Sequence, residues 1–110
     1  MEKGLVVYTT VPSKKMGEVI ARRLVETRLA ACVNILPHVE SIFRWEGKIE
    51  TAGEFILIIK TVESRLDALI EKIKKLHDYD VPEIVAVPIV GGSSDYLTWL
   101  QAETEPESTS

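Results

Sequence analysis

Two stretches of this chain are apolar at consecutive positions: Leu5 to Tyr8, and Phe55 to Ile59. Successive side chains of a strand point to opposite faces of its sheet, so a half-solvated antiparallel sheet alternates apolar with polar residues. These two runs do not alternate. Both faces of the sheet they build carry oily side chains, and each face must be covered by something. A chain of 110 residues has few elements with which to do it.

Read in order, Leu5 to Val11 is rich in β-branched and aromatic residues and stops at Pro12, which predicts a strand. Ser13 is a suitable N-cap for a helix in which Met16, Val19, Ile20 and Leu24 share one face, ending near Arg28. Gly17 inside that helix costs about 1 kcal/mol relative to alanine. Ala31 to Leu36 is apolar apart from Asn34, and the pattern resumes after Pro37 through Val39, Ile42, Phe43 and Trp45. A proline there marks an edge strand or a bulge, with His38 exposed in it. Glu46-Gly47-Lys48 supplies a hairpin turn, and the chain returns from Ile49 to Thr61. Both arms exceed the usual five or six residues, so they are expected to project beyond the body of the domain.

Ser64 and Asp67 read as a capping box, and Leu66, Leu69, Ile70, Ile73 and His77 continue one helical stripe. Lys72, Lys74 and Lys75 lie near the negative end of this helix's dipole, as a solvated helix end. Ile84 to Val90 predicts a last strand, with Pro88 marking it as an edge. Gly91-Gly92 ends it, and Ser93 or Ser94 caps a short helix carrying Tyr96, Leu97, Trp99 and Leu100. The domain is expected to occupy residues 1–102. The tail Glu103 to Ser110 has no large apolar residue and is expected to be disordered.

Strand, helix, strand, strand, helix, strand, with a terminal helix added, is the order of an α+β ferredoxin-like split βαβ sandwich. Its antiparallel sheet has the first and third strands in the middle and both helices on one face. The other face remains to be covered, and the simplest cover is another copy of the chain. A homo-oligomer follows, a trimer or another small ring, with the long hairpin pairing at a neighbour's edge.

The single cysteine, Cys32, cannot form an internal bridge and suits a reducing, cytoplasmic setting. No window approaches about 18 apolar residues, and strand-like sequence begins by Leu5, so neither membrane insertion nor a signal peptide is expected. With 13 basic and 17 acidic residues, and no basic cluster interleaved with aromatics, nucleic acid is not an expected partner.

Chemistry-bearing side chains concentrate in His77-Asp78-Tyr79-Asp80-Val81-Pro82-Glu83, between the second helix and the last strand. They could hold a cation, take up a proton or bind a polar small molecule. The topology brings His77, Glu83, Thr9 and Thr10 to one end of the sheet, with Cys32 at the other end and the far edge, roughly 14 Å across. His77 and Glu83 suit a borderline divalent ion, but two ligands are too few for a tight site. A third would come from Asp80, a threonine hydroxyl, water or an adjacent subunit. An enzyme would use His77 or Tyr79 as acid or base, but no nucleophile or recognisable catalytic constellation accompanies them. Ordinary roles exist for most of these residues: Cys32 as a small buried hydrophobe, His77 as a helix-end cap, Trp45 and Trp99 as packing or interface anchors.

Leu29-Ala30-Ala31-Cys32-Val33-Asn34, Phe43-Arg44-Trp45-Glu46-Gly47-Lys48-Ile49-Glu50, Lys60-Thr61, His77-x-Tyr79-x-Val81-Pro82-Glu83-Ile84 and Tyr96-Leu97-x-Trp99 together resemble the CutA divalent-cation tolerance family. The resemblance runs from about Leu5 to Leu100. It implies a compact ferredoxin-like trimer, linked to cellular tolerance of copper and other divalent metals, without a settled enzymatic activity. It also implies a copper-binding role for His77, the histidine of the His-x-Tyr segment. Thr9 stands where some members carry a thiol and Leu76 where some carry a second histidine, which favours a weak, exchangeable metal site. Asp78 and His38 depart from the usual proline and glycine. The alternative is a regulatory trimer resembling the PII signal proteins, binding a small metabolite or anion at the same cleft through Lys60, with Tyr79 and Trp45 lining it.

Overall fold

The computed structural model describes residues 1–107, and its elements follow the expected order. They are β1 (Gly4–Val11), α1 (Lys14–Glu26), β2 (Cys32–Trp45), β3 (Lys48–Val62), α2 (Leu66–Leu76), β4 (Val85–Pro88) and α3 (Ser94–Glu103). The sheet is antiparallel in the order β2-β3-β1-β4, so the first and third strands are central, as the split βαβ pattern requires. β1 pairs with β3 along its whole length, from Gly4 opposite Val62 to Val11 opposite Phe55.

One sheet face carries the main core. Val7 and Val11 from β1 and Leu57 and Ile59 from β3 pack against Ile20 and Leu24 of α1 and Leu69 and Ile73 of α2, all fully buried. Each such side chain contributes about 1.5–3 kcal/mol of apolar burial. Gly17 lets α1 come this close, because a Cβ there would sit 3.3 Å from both Leu57 and Val11. Ser13 caps the helix by accepting from the Met16 N–H at 3.1 Å. Arg28, at φ 61°, closes its other end: Leu29 N–H bonds Leu24 C=O and Arg28 N–H bonds Val25 C=O, the two bonds of a Schellman motif.

Among the described residues, α3 covers one end of the second face. Leu100 of α3 packs there with Ala31 and Val62, over Gly4, where a Cβ would meet Leu100 at 3.3 Å. Along the rest of that face Val6, Tyr8, Ile56 and Ile58 are half-buried, and Leu36, Val85 and Val87 are exposed. β2 and β3 continue past the end of β1 as a two-stranded arm closed by Glu46 and Gly47, both at positive φ. The arm exposes Ile42 (68%), Ile49 (63%), Phe43 and Trp45. It stretches the molecule to 49 × 31 × 22 Å, with a radius of gyration of 14.8 Å against about 13 Å for a compact domain of this length. The bulge falls where Pro37 predicts it: the register shifts between Leu36 and Val39, and His38 turns at φ 61°.

Three expectations need correction. The Ser64–Asp67 capping box does not form; a 3-10 turn over Glu63–Arg65 leads into α2, and no side chain at Arg65 caps it. The Ser64 N–H donates to the carboxylate of Glu2 instead, and Ser64's hydrogen bonds hold that carboxyl below its usual range. An anion from the distant N-terminal segment has taken the place of the local cap. β4 is shorter than predicted, although Ile89 N–H still bonds Gly4 C=O at 2.9 Å. The boundary expected at 102 falls inside α3, and Thr104 is buried, with its hydroxyl donating to Leu100 C=O at 2.8 Å. The Arg28 guanidinium holds the carbonyls of Ala102, Glu103 and Glu105. The remainder of the expected tail, 108–110, lies outside the described residues.

Thr9 is fully buried on the core face, and its hydroxyl has no partner among the described residues. An unsatisfied buried hydroxyl costs about 1–3 kcal/mol. The isosteric Thr9→Val variant is expected to be more stable by about 1 kcal/mol in urea unfolding; an equal loss would show the hydroxyl to be satisfied in solution.

Candidate functional site

α2 stops at His77, whose backbone turns to an extended conformation (φ −85°, ψ 144°) while its N–H still bonds Ile73 C=O. The turn swings the imidazole inward, where it is only 8% exposed. Its Nε2 lies 2.7 Å from the Thr10 carbonyl oxygen. A carbonyl can only accept, so Nε2 carries the proton. In the neutral ring Nδ1 is then the acceptor, and it receives the Tyr79 backbone N–H at 3.1 Å. Both nitrogens are in use, and one tautomer is fixed.

The network continues through the rings. His77 and Tyr79 lie 4.6 Å apart, tilted by 44°, and the Tyr79 hydroxyl donates to Glu54 Oε2 at 2.8 Å. Glu54, 6% exposed, is the buried carboxylate of the group. Burial, then the hydrogen bond and charge of Glu54, push the Tyr79 phenol up to about 12. A phenol held protonated beside a carboxylate makes a strong charge-assisted bond and a poor acid near neutrality. Thr10, His77, Tyr79 and Glu54 thus tie the end of β1 to the end of α2 and to β3.

Of the residues singled out in the sequence, His77 and Thr10 meet as expected. Glu83 is exposed two residues before β4, and Asp78 and Asp80 are exposed on the same connection. Lys60 is elsewhere. It stands opposite Val6 on β1 and Cys32 on β2, four residues or about 13 Å along the strand from Thr10, and its ammonium donates to Asn34 Oδ1. Trp45 is at the tip of the arm, opposite Lys48, roughly 27 Å of strand from the level of Thr10. A single chain therefore does not bring Lys60 or Trp45 into the His77 site. Cys32 is at the Lys60 end, away from His77, as the topology requires. No three His, Cys, Asp or Glu side chains are grouped to hold a metal among the described residues.

Glu54 escapes a reading of the sequence because Thr51-Ala52-Gly53-Glu54 looks like the polar end of a strand. The only hint is its place directly before the apolar run Phe55 to Ile59.

Residues 5–103 match the CutA1 divalent ion tolerance protein family. The chain is 54% identical over 101 residues to "Protein CutA 1, chloroplastic" of rice, covering 92% of this chain and 57% of that protein. It is 50% identical over 99 residues to the "Divalent-cation tolerance protein CutA" of Thermus thermophilus, covering 90% of this chain and 96% of that one. The chain thus spans little more than half the length of its plant relatives. Among solved structures, the rice protein superposes with a TM-score of 0.92 at 52% identity, covering 94% of this chain and 95% of that one. An Archaeoglobus fulgidus protein, described as periplasmic, superposes with a TM-score of 0.90 at 43% identity, covering 93% and 99%.

Removing the phenol tests the network. Tyr79→Phe leaves buried Glu54 without its donor and is expected to cost about 1–3 kcal/mol in denaturant unfolding. Because the folded-state pKa lies above that of free tyrosine, the unfolded chain ionises first as the pH rises from about 10 to 12. Stability should fall across that window and fall less steeply in Tyr79→Phe. Identical pH profiles would remove the bond from the folded state in solution.

Proposed function

The chain belongs to the CutA1 divalent ion tolerance protein family, and from that footing we propose that it serves divalent-cation tolerance as a homotrimer. In this reading copper or another divalent metal binds weakly at a cleft between subunits, with His77 and Glu83 as protein ligands.

The observation that carries the assembly is the arm. A solvent-exposed ribbon bearing Ile42, Phe43, Trp45 and Ile49 is an open template for pairing, and the incompletely covered second face of the sheet offers apolar surface to meet it. The arm and that face are different surfaces, so a head-to-tail contact between copies can repeat around a ring, and a ring of three is the assembly proposed.

The donor set suits the proposed metal: a neutral imidazole with carboxylates fits a borderline ion such as copper or zinc. The geometry also accounts for weakness. The only lone pair on His77 is at Nδ1, so a metal must displace the Tyr79 N–H, at a cost of about 1 kcal/mol. Glu83 is exposed and needs no such release, and Asp80 or a neighbouring subunit supplies the further ligands. No helix among the described residues is long and apolar enough to cross a membrane. Relatives described as chloroplastic and periplasmic place the fold in several compartments, so a cytoplasmic setting for this chain rests on its cysteine usage alone.

Two measurements test the reading. Light scattering at micromolar concentration is expected to give about three times the 12.3 kDa chain mass, and the double variant Trp45→Asp, Ile49→Asp to lower it; a monomeric wild-type chain would sink the assembly and the cleft together. Calorimetric titration with copper and zinc should lose most of its heat in His77→Ala. Unchanged heats would take His77 out of the site.

A further inference from the structure

Away from the His77 network, three segments distant in sequence meet on the sheet face that α1 and α2 leave open. Cys32 and Asn34 come from the edge strand β2, Lys60 from β3 directly opposite Cys32, and Tyr96 from α3. The Lys60 ammonium donates to Asn34 Oδ1, and the Cys32 thiol lies 4.0 Å from the same oxygen. Burial, and then the charge and hydrogen bond of the Cys32 thiol, raise the pKa of the Tyr96 phenol on α3.

Among the described residues no carboxylate lies within 4.0 Å of the Lys60 ammonium, a condition it shares with most of the chain's basic side chains. Lys60 is half-buried, and its neighbours on the same face include the apolar Val6 and Ile58. A partly desolvated ammonium calls for compensation, and a single neutral amide oxygen gives only part of it. With that oxygen occupied, what the corner has left is mostly donors: two ammonium N–H, the Asn34 NH2, the Tyr96 O–H and the weak Cys32 S–H. Such a set is complementary to an oxyanion. Asn34 and Tyr96 are exposed, so the corner is open to solvent in the single chain.

We infer that Lys60, Asn34, Cys32 and Tyr96 form a binding site for a small oxyanion, a carboxylate or phosphoryl group, whose charge Lys60 neutralises. A sister chain laid over the rest of this face would exclude water and strengthen the pairing. The site does not rest on the cation reading. It lies about 13 Å along β1 from the His77 corner, so either can fail alone.

The test is a titration of the full ¹⁵N-labelled chain with inorganic phosphate, with acetate, and with sodium chloride at matched ionic strength. The expected result is a saturable shift of the Asn34 side-chain amide and of the Cys32, Lys60 and Tyr96 backbone amides. Phosphate alone would identify a phosphoryl ligand and acetate alone a carboxylate; chloride should not saturate. Lys60→Gln should weaken binding at least tenfold and Lys60→Arg restore most of it. Asn34→Ala, which keeps the ammonium, gives an independent weakening should Lys60→Gln fail to fold. Shifts that never saturate and match those of chloride would overturn the inference, as would saturation of Lys60→Gln at the wild-type concentration.

Discussion

The pairing of β1 with β3 supports everything else in this molecule. From Gly4 opposite Val62 to Val11 opposite Phe55 the two strands run together, and both of their faces are largely apolar. One face receives α1 and α2 and becomes the core. The other is shielded by α3 only beside Gly4, Ala31 and Val62. Gly17 sets how closely α1 can settle, and Arg28 joins the end of that helix to the end of α3. A sheet buried on one face and half-covered on the other has an unspent hydrophobic driving force, and that is the physical basis for the proposed self-association.

The connection after α2 is held by a relay whose members satisfy one another. Thr10 accepts from His77, His77 accepts from Tyr79, and Tyr79 donates to Glu54. Buried polar groups connected in this way fix a single arrangement, because losing one bond leaves the next group unsatisfied in a low dielectric. A metal that recruited His77 in the proposed site would have to work against that relay. The exposed carboxylates at Asp78, Asp80 and Glu83 stand outside it and remain available.

The two ends of the sheet therefore differ in chemistry. The His77 end is furnished with acceptors: a buried carboxylate and a strand carbonyl, with carboxylates on the exposed connection. The Lys60 end is furnished with donors and has no carboxylate against its ammonium among the described residues. Separation by four residues of strand, about 13 Å, keeps the charges of the two ends apart.

The primary structure alone determined what depends on near neighbours. Strand and helix periods, Ser13 as a cap, the proline that ends β1, the bulge at Pro37 and His38, the turn at Glu46-Gly47 and the order that specifies a split βαβ sheet are all local patterns. The tertiary structure decided what depends on residues far apart. Glu54 reaches Tyr79 across 25 positions, His77 reaches Thr10 across 67, Glu2 reaches Ser64 across 62, and Arg28 reaches Ala102 across 74. Each of those contacts overrode or completed a local signal: the polar end of β3 became a buried carboxylate, a capping box was replaced, and a polar tail was anchored. The physical reason is that a hydrogen bond or ion pair is specific to geometry rather than to sequence spacing, and that geometry exists only once the sheet has placed its strands side by side.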